Sequence, residues 1–290
     1  MSAMQLYLLG YPLGHSVSPA MQTAALKQAG LDDWSYLVRP VPPDSLPAAV
    51  AELRQPHVAG ANVTVPHKQA IMSLLDGVTP VAEAIGAVNT VVKQPDGRLI
   101  GHNTDAAGFL ADLYTFGVHI GGRPVLVLGA GGSARAIVAA CAGVGARLRL
   151  LARRREQAEA LRGLAEITVY DWTPLEWLRA CDDCALIVNC TPLGMAPKVD
   201  ASPWLPGTPF PPGAFVYDVV YNPAETRLVY EAQTAGLRGV TGLGMLVEQG
   251  ALAFEQWTGR PAARGLMRRA AEAALAGAGR PASVTAAERR

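Results

Sequence analysis

PVLVLGAGGSARA, residues 124–136, sets an apolar run against a glycine-rich turn and an alanine-rich continuation. Gly129, Gly131 and Ala134 form a G-x-G-x-x-A pattern. The stretch reads as strand, tight turn and helix. The first glycine permits the turn, and the second removes a Cβ where a pyrophosphate would approach. The alanine lets helix and strand pack closely. The whole turn, Gly129, Ala130, Gly131, Gly132, Ser133 and Ala134, would present free N–H groups at a helix start to an anion. Such a motif is weak alone and gains force from a strand on either side. The second strand, Arg147–Leu151, is there.

That strand runs into Ala152, Arg153, Arg154 and Arg155. NAD sites place a carboxylate at about this point, on the ribose 2′-hydroxyl. Here guanidinium groups stand instead, suited to gripping a 2′-phosphate, so the expected cofactor is NADP. The plainer reading of the arginines is a solvated basic helix start.

Outward from this unit, strand and helix alternate. Apolar runs fall at Gln5–Leu9, Ser35–Val38, Val58–Val63 and Val88–Val92, with amphipathic segments at Ala20–Ala29 and Ser45–Arg54. Asp96–Gly97 marks a turn before Arg98–Ile100. Beyond the glycine turn come Ile167–Tyr170, Leu186–Asn189 and Phe215–Val219. The pattern predicts an α/β chain of two domains. One is an N-terminal substrate domain with a mostly parallel sheet, the other a Rossmann-type NADP-binding domain. A helix over Asp105–Phe116 bridges them. Helices at Leu243–Trp257 and Ala262–Ala276, lacking strand partners, are expected to return to the first domain. The expected division is 1–105 with 241–276 for substrate and 106–240 for cofactor. Residues 197–213 are expected to form a surface loop, and 277–290 a flexible tail.

Bulk properties agree with a cytoplasmic enzyme. The chain has 290 residues, half of them hydrophobic, and a formal charge of +1. Such a balance gives no basic field for nucleic acid or an anionic membrane. No apolar stretch has the length and flanks of a signal peptide or a membrane span. The four cysteines are too few for a disulfide framework, and the Cys181/Cys184 pair lacks a second pair of ligands for zinc. No metal is expected.

The specific chemistry lies in GHSVSPAM (14–21), GANVTVPHK (60–68), GAVNTV (86–91) and HNTDAAG (102–108). Lys68 is one of four lysines against twenty-one arginines. A lysine can give up its proton when its surroundings ask for it, and an arginine essentially cannot. Each residue also has a structural reading. Lys68 suits a solvated helix face, while Asn103, Thr104 or Asp105 suit a helix N-cap. Ser16 and Ser18 also suit caps, and Asn62, Thr64 and Asn89 suit amide-satisfying turn or strand-end positions.

These segments resemble the shikimate dehydrogenase family, whose marks are H-S-x-S-P, N-V-T-x-P-x-K, G-A-V-N-T and N-T-D. Later marks follow in order as NCTPLGM (189–195), DVVYNP (218–223) and GMLVEQ (244–249). The resemblance implies NADPH-dependent reduction of 3-dehydroshikimate to shikimate, in aromatic amino acid biosynthesis, by a monomer or homodimer. It assigns Lys68 and Asp105 as the catalytic pair. Ser16, Ser18 and Tyr221 would hold the substrate carboxylate; Asn62, Thr64, Asn89 and Gln249 would line the ring hydroxyls with Asp105. The glycine turn, Arg153, Arg154, Thr191, Met195 and Gly242 would hold the cofactor. The chain departs from the family at Met21-Gln22, at the Ala-Arg-Arg clamp and at Pro192-Leu193. Two alternatives stay open: a quinate/shikimate dehydrogenase using NAD, and a cofactor-sensing module without catalysis.

Overall fold

Strands of this chain bury side chains on both faces, and the helices between them supply the covers. A computed structural model describes residues 3–14 and 16–278. His15 and residues 279–290, most of the expected tail, lie outside the described residues; Gly277 belongs to the last helix.

The first half forms β1 (Met4–Gly10), α1 (Ser18–Gln28), β2 (Trp34–Pro40), α2 (Leu46–Glu52) and β3 (Val58–Val63). It continues through β4 (Gly77–Val78), α3 (Pro80–Ile85), β5 (Thr90–Lys93), β6 (Leu99–His102) and α4 (Asp105–Thr115). The sheet order is β2-β1-β3-β5-β6-β4. Pairings β1–β2, β1–β3 and β4–β6 are parallel, and β3–β5 and β5–β6 are antiparallel. The sheet is thus mixed. The antiparallel pair comes from the short turn at Asp96–Gly97, which leaves no room for a crossover helix. Alternation along β1 separates the two faces. Leu6 and Leu8 join one core with Met21 and Leu26 of α1; Tyr7 and Leu9 join another with Leu46 and Val50 of α2.

The second half forms β7 (Pro124–Leu128), α5 (Gly132–Gly143), β8 (Arg147–Leu151), α6 (Arg155–Glu159), β9 (Ile167–Tyr170) and α7 (Pro174–Cys181). Then come β10 (Leu186–Asn189), β11 (Phe215–Asp218), α8 (Arg227–Thr234) and β12 (Arg238–Thr241). All pairings are parallel, in the order β12-β11-β10-β7-β8-β9. This is the doubly wound dinucleotide-binding arrangement, whose crevice opens beyond β7 and β10, where the winding reverses. Val125 and Val127 face α5, while Leu126 and Leu128 face α7 and α8.

α9 (Leu243–Thr258) and α10 (Arg264–Ala278) close the first sheet. Val247, Phe254, Trp257 and Met267 share the core of Leu6 and Leu8. α4 joins the halves, because Phe109 and Leu113 lie in the core of the second sheet while the helix packs along α9. At this joint Asp112 is 1% exposed. It accepts a hydrogen bond from the Tyr217 hydroxyl at 2.7 Å and lies 3.5 Å from the Arg268 guanidinium. Burial pushes the Asp112 carboxyl above its ordinary pKa, the Tyr217 bond and the arginine pulling it partly back.

Gly244 lets α9 approach this carboxylate, since an added Cβ would fall 1.7 Å from Asp112 Oδ1. Gly244→Ala should therefore destabilise the fold, by the roughly 1–3 kcal/mol of a core overpacking change or more. Chemical unfolding of the purified variant measures it.

Candidate active site

The first sheet gathers its polar residues at one edge. β3 ends there, β5 begins there and β6 ends there, as the Asn62↔Thr90 and Thr90↔His102 registers require. Ser16 and Ser18 follow β1 at the same edge, as Thr64 follows β3.

Lys68 Nζ donates to Asp105 Oδ2 at 2.7 Å, with the two side chains only 11% and 8% exposed. Neither residue is a solvated surface group. His67 anchors the lysine segment, its buried ring nitrogen bonding the Val41 carbonyl at 2.6 Å. The Lys68 carbonyl accepts from Val88 N–H at 2.7 Å.

Asn103, not Asp105, caps α4. Its Oδ1 accepts from the Asp105 and Ala106 amides at 3.1 and 3.3 Å, and its Nδ2 donates to the Ala87 carbonyl. Asp105 therefore keeps its carboxylate for other partners: Oδ2 takes Lys68 and Oδ1 accepts from Asn89 Nδ2 at 2.9 Å. Asn89 is the hub. Its Nδ2 also reaches Thr104 and Gln249 Oε1, and its Oδ1 accepts from Thr104 N–H and the Thr90 hydroxyl. Asn62 donates to Thr90 and the Asn89 carbonyl and accepts from the buried Tyr36 hydroxyl at 2.8 Å.

Ser16 accepts from Ser18 N–H at 3.3 Å, a cap-like bond at the start of α1, and Ser18 is buried. Tyr221, just beyond β11, reaches across from the second half to Ser16. Burial raises its hydroxyl pKa, while the Ser16 contact lowers it. Thr64 is half-buried with its amide on the Leu9 carbonyl.

The glycine turn faces this cluster. Gly129 has φ +97°, open to glycine and strained for other residues. Gly131 is exposed with free space where a Cβ would sit, and no side chain caps α5. The amides of Gly132, Ser133 and Ala134 are thus left for an anion. A Cβ placed on Gly132 would lie 3.6 Å from Lys68 Cδ, so the glycine turn packs beside the lysine stem. Thr191, following β10, packs its methyl where a Gly129 Cβ would go. Arg153 and Arg154 follow β8, exposed and in no ion pair among the described residues, whereas Arg155 pairs with Asp171 and Glu159. Met195 is 47% exposed, and Gly242 is buried at the start of α9 with its amide on the Val220 carbonyl. The donor set fits a dinucleotide phosphate. Among the described residues no cluster of three or more His, Cys, Asp or Glu could hold a metal, and no helix is long and apolar enough to cross a membrane.

Comparison with known proteins is consistent over nearly the whole chain. Residues 8–91 match the shikimate dehydrogenase substrate binding domain, and residues 242–272 the shikimate 5'-dehydrogenase C-terminal domain. A shikimate dehydrogenase (NADP(+)) of Symbiobacterium thermophilum is 46% identical over 279 residues, 93% of this chain and 94% of that protein. The chain belongs to the shikimate dehydrogenase family. A crystal structure of shikimate 5-dehydrogenase from Thermus thermophilus, in complex with NADP(H) and shikimate, is 40% identical. It superposes with a TM-score of 0.85 over 93% of this chain and 99% of that one. The shikimate 5-dehydrogenase of Listeria monocytogenes, in complex with shikimate and NAD, is 33% identical with a TM-score of 0.82, covering 92% and 96%.

Sequence reasoning left Asn103 as one of three possible caps and missed two further supporting residues of this family member, Asn189 and Asp218. Asp218 is fully buried and accepts from Asn189 Nδ2, Val220 N–H and the Thr226 hydroxyl. Asn189 in turn holds the Thr191 amide and hydroxyl. Burial pushes the Asp218 carboxyl up to about 6, partly offset by those bonds. All three stood in the quoted motifs, and only their side-chain direction was invisible.

Asn103→Ala removes the α4 cap and should cost about 1 kcal/mol of stability, within the 0.5–2 typical of such caps. Urea unfolding reads that loss, and turnover should fall with it because the Asp105 amide loses its anchor.

Proposed function

We propose that the protein is an NADP-dependent shikimate dehydrogenase that reversibly reduces 3-dehydroshikimate to shikimate in aromatic amino acid biosynthesis. The observation that carries this reading is the buried Lys68–Asp105 pair packed beside the glycine turn.

NADPH, when bound, would supply a hydride to the C3 carbonyl carbon, and the carbonyl oxygen would then carry negative charge. Lys68 answers that charge. Its ammonium donates a hydrogen bond to the oxygen and then the proton, completing the C3 hydroxyl. Asp105 aims the ammonium through Oδ2 and is itself fixed by Asn89 at Oδ1. In the oxidative direction the lysine takes the proton back. Ser16, Ser18 and Tyr221 hold the substrate carboxylate, and Asn62, Thr64, Asn89 and Gln249 face the ring hydroxyls. A small polyhydroxylated acid needs such directional groups more than apolar area. Arg153 and Arg154 would grip the 2′-phosphate, and Gly129 to Ala134, Thr191, Met195 and Gly242 would hold the rest of the dinucleotide.

We assign residues 1–105 and 241–276 to the substrate lobe and 106–240 to the cofactor lobe. We place the enzyme in the cytoplasm, as a monomer or homodimer; its four free cysteines suit a reducing compartment.

Purified protein should oxidise shikimate with NADP⁺ far faster than quinate with NAD⁺; the reverse order would defeat the assignment. Lys68→Ala should lower kcat at least about 10²–10⁴-fold, with NADP⁺ affinity nearly unchanged in a fluorescence titration. Replacing Arg153 and Arg154 by alanine should narrow the NADP⁺ over NAD⁺ preference, by roughly 1.5–3 kcal/mol for each charged hydrogen bond lost.

A further inference from the structure

Arg135 has no part in the roles above, yet it bridges the two lobes. It lies in α5, half-buried, and its Nε donates to the Ile85 carbonyl at 2.7 Å. Ile85 ends α3, where a terminal carbonyl has no partner within its own helix. The next residue, Gly86, has φ +68°, and an added Cβ there would fall 2.5 Å from Arg135 Nη2. The backbone conformation favours glycine here, and any side chain at this point would push the guanidinium from its place.

The contact leads directly to the reacting pair. Ala87, one residue further, gives its carbonyl to Asn103, and the Asn103 carboxamide holds the Asp105 amide. Ile85, Ala87 and Ala136 also form a small closed apolar patch between the lobes. Two backbone residues and one side chain therefore separate a guanidinium on the cofactor helix from the carboxylate that aims Lys68.

We infer that Arg135 is a positioning residue, a latch whose bond to Ile85 fixes the span between the cofactor turn and the Lys68–Asp105 pair. The inference rests on the reaction proposed above. Transfer between two bound partners depends steeply on their separation, and a displacement of about 1 Å can cost roughly 100-fold in rate. Loss of the latch therefore acts on the transfer step more than on either binding step.

The test uses Arg135→Met, which keeps an apolar stem and removes the donor, and Arg135→Lys, which keeps a charge and a donor. Shikimate carrying deuterium at C3 reports the transfer step through the isotope effect. With Arg135→Met, kcat should fall by up to about 100-fold and the isotope effect should rise. The shikimate KM and the NADP⁺ Kd should stay near the wild-type values, and Arg135→Lys should recover part of the rate. Unchanged kcat and isotope effect in the methionine variant would overturn the inference. So would a rise in KM or Kd that accounts for the whole loss. If Arg135→Met fails to fold, Arg135→Leu, which likewise lacks a donor, takes its place: wild-type kcat and isotope effect there overturn the inference, and a reduced rate with a raised isotope effect supports it. A wild-type protein inactive on shikimate would instead remove the proposed function. Amide hydrogen exchange over α3 and Gly86–Ala87 in the NADP⁺ complexes then reads the latch alone: faster exchange in Arg135→Met supports it, and unchanged exchange overturns it.

Discussion

A lysine and an aspartate taken almost wholly out of water are the constraint around which the polar edge of the first sheet is arranged. Each buried ion costs several kcal/mol in lost hydration, and their attraction repays this only when the remaining lone pairs and protons are satisfied. Asp105 meets the requirement with one oxygen on Lys68 and the other on Asn89. Asn89 must then be held, and Thr90, Thr104 and Gln249 hold it. A continuous polar layer results, between α4, α9 and the edge of the first sheet. No apolar side chain could replace a member without stranding its neighbours.

The same layer explains the mixed topology of the first sheet. Asn62, Asn89 and Asp105 come from three strand ends, and the antiparallel β5 brings its beginning to the edge where β3 and β6 finish. An all-parallel sheet would place the Asn89 position at the opposite rim. In the second sheet, by contrast, strict parallel winding serves the crevice between β7 and β10, where Gly129 and Thr191 meet.

Much of this was legible in the sequence because it is periodic or tied to special residues. The strands beside the glycine turn followed from apolar spacing, the turn from its glycines, and the return of the last two helices from their lack of strand partners. β12 did not: Arg238–Thr241 has an exposed arginine and no buried residue, so only its pairing with β11 makes it a strand. Gly77–Val78 is too short to carry any period. The expected strand at Val88–Val92 begins at Thr90, because Val88 N–H leaves the ladder for the Lys68 carbonyl. At the site, sequence alone left open which of Asn103, Thr104 and Asp105 capped the helix. The two functions fall to different residues, a division that only side-chain direction reveals.

The discontinuous first lobe has a consequence for synthesis. The second sheet and its covers occupy one unbroken span of chain, so that most of its core can assemble as it leaves the ribosome. Leu6, Leu8 and Met21 share a core with Phe254, Trp257 and Met267, which are made more than two hundred residues later. Until those helices are made, one face of the early sheet is covered by α1 alone. Such a surface is the kind that draws chaperones, or neighbouring nascent chains, in a crowded polysome.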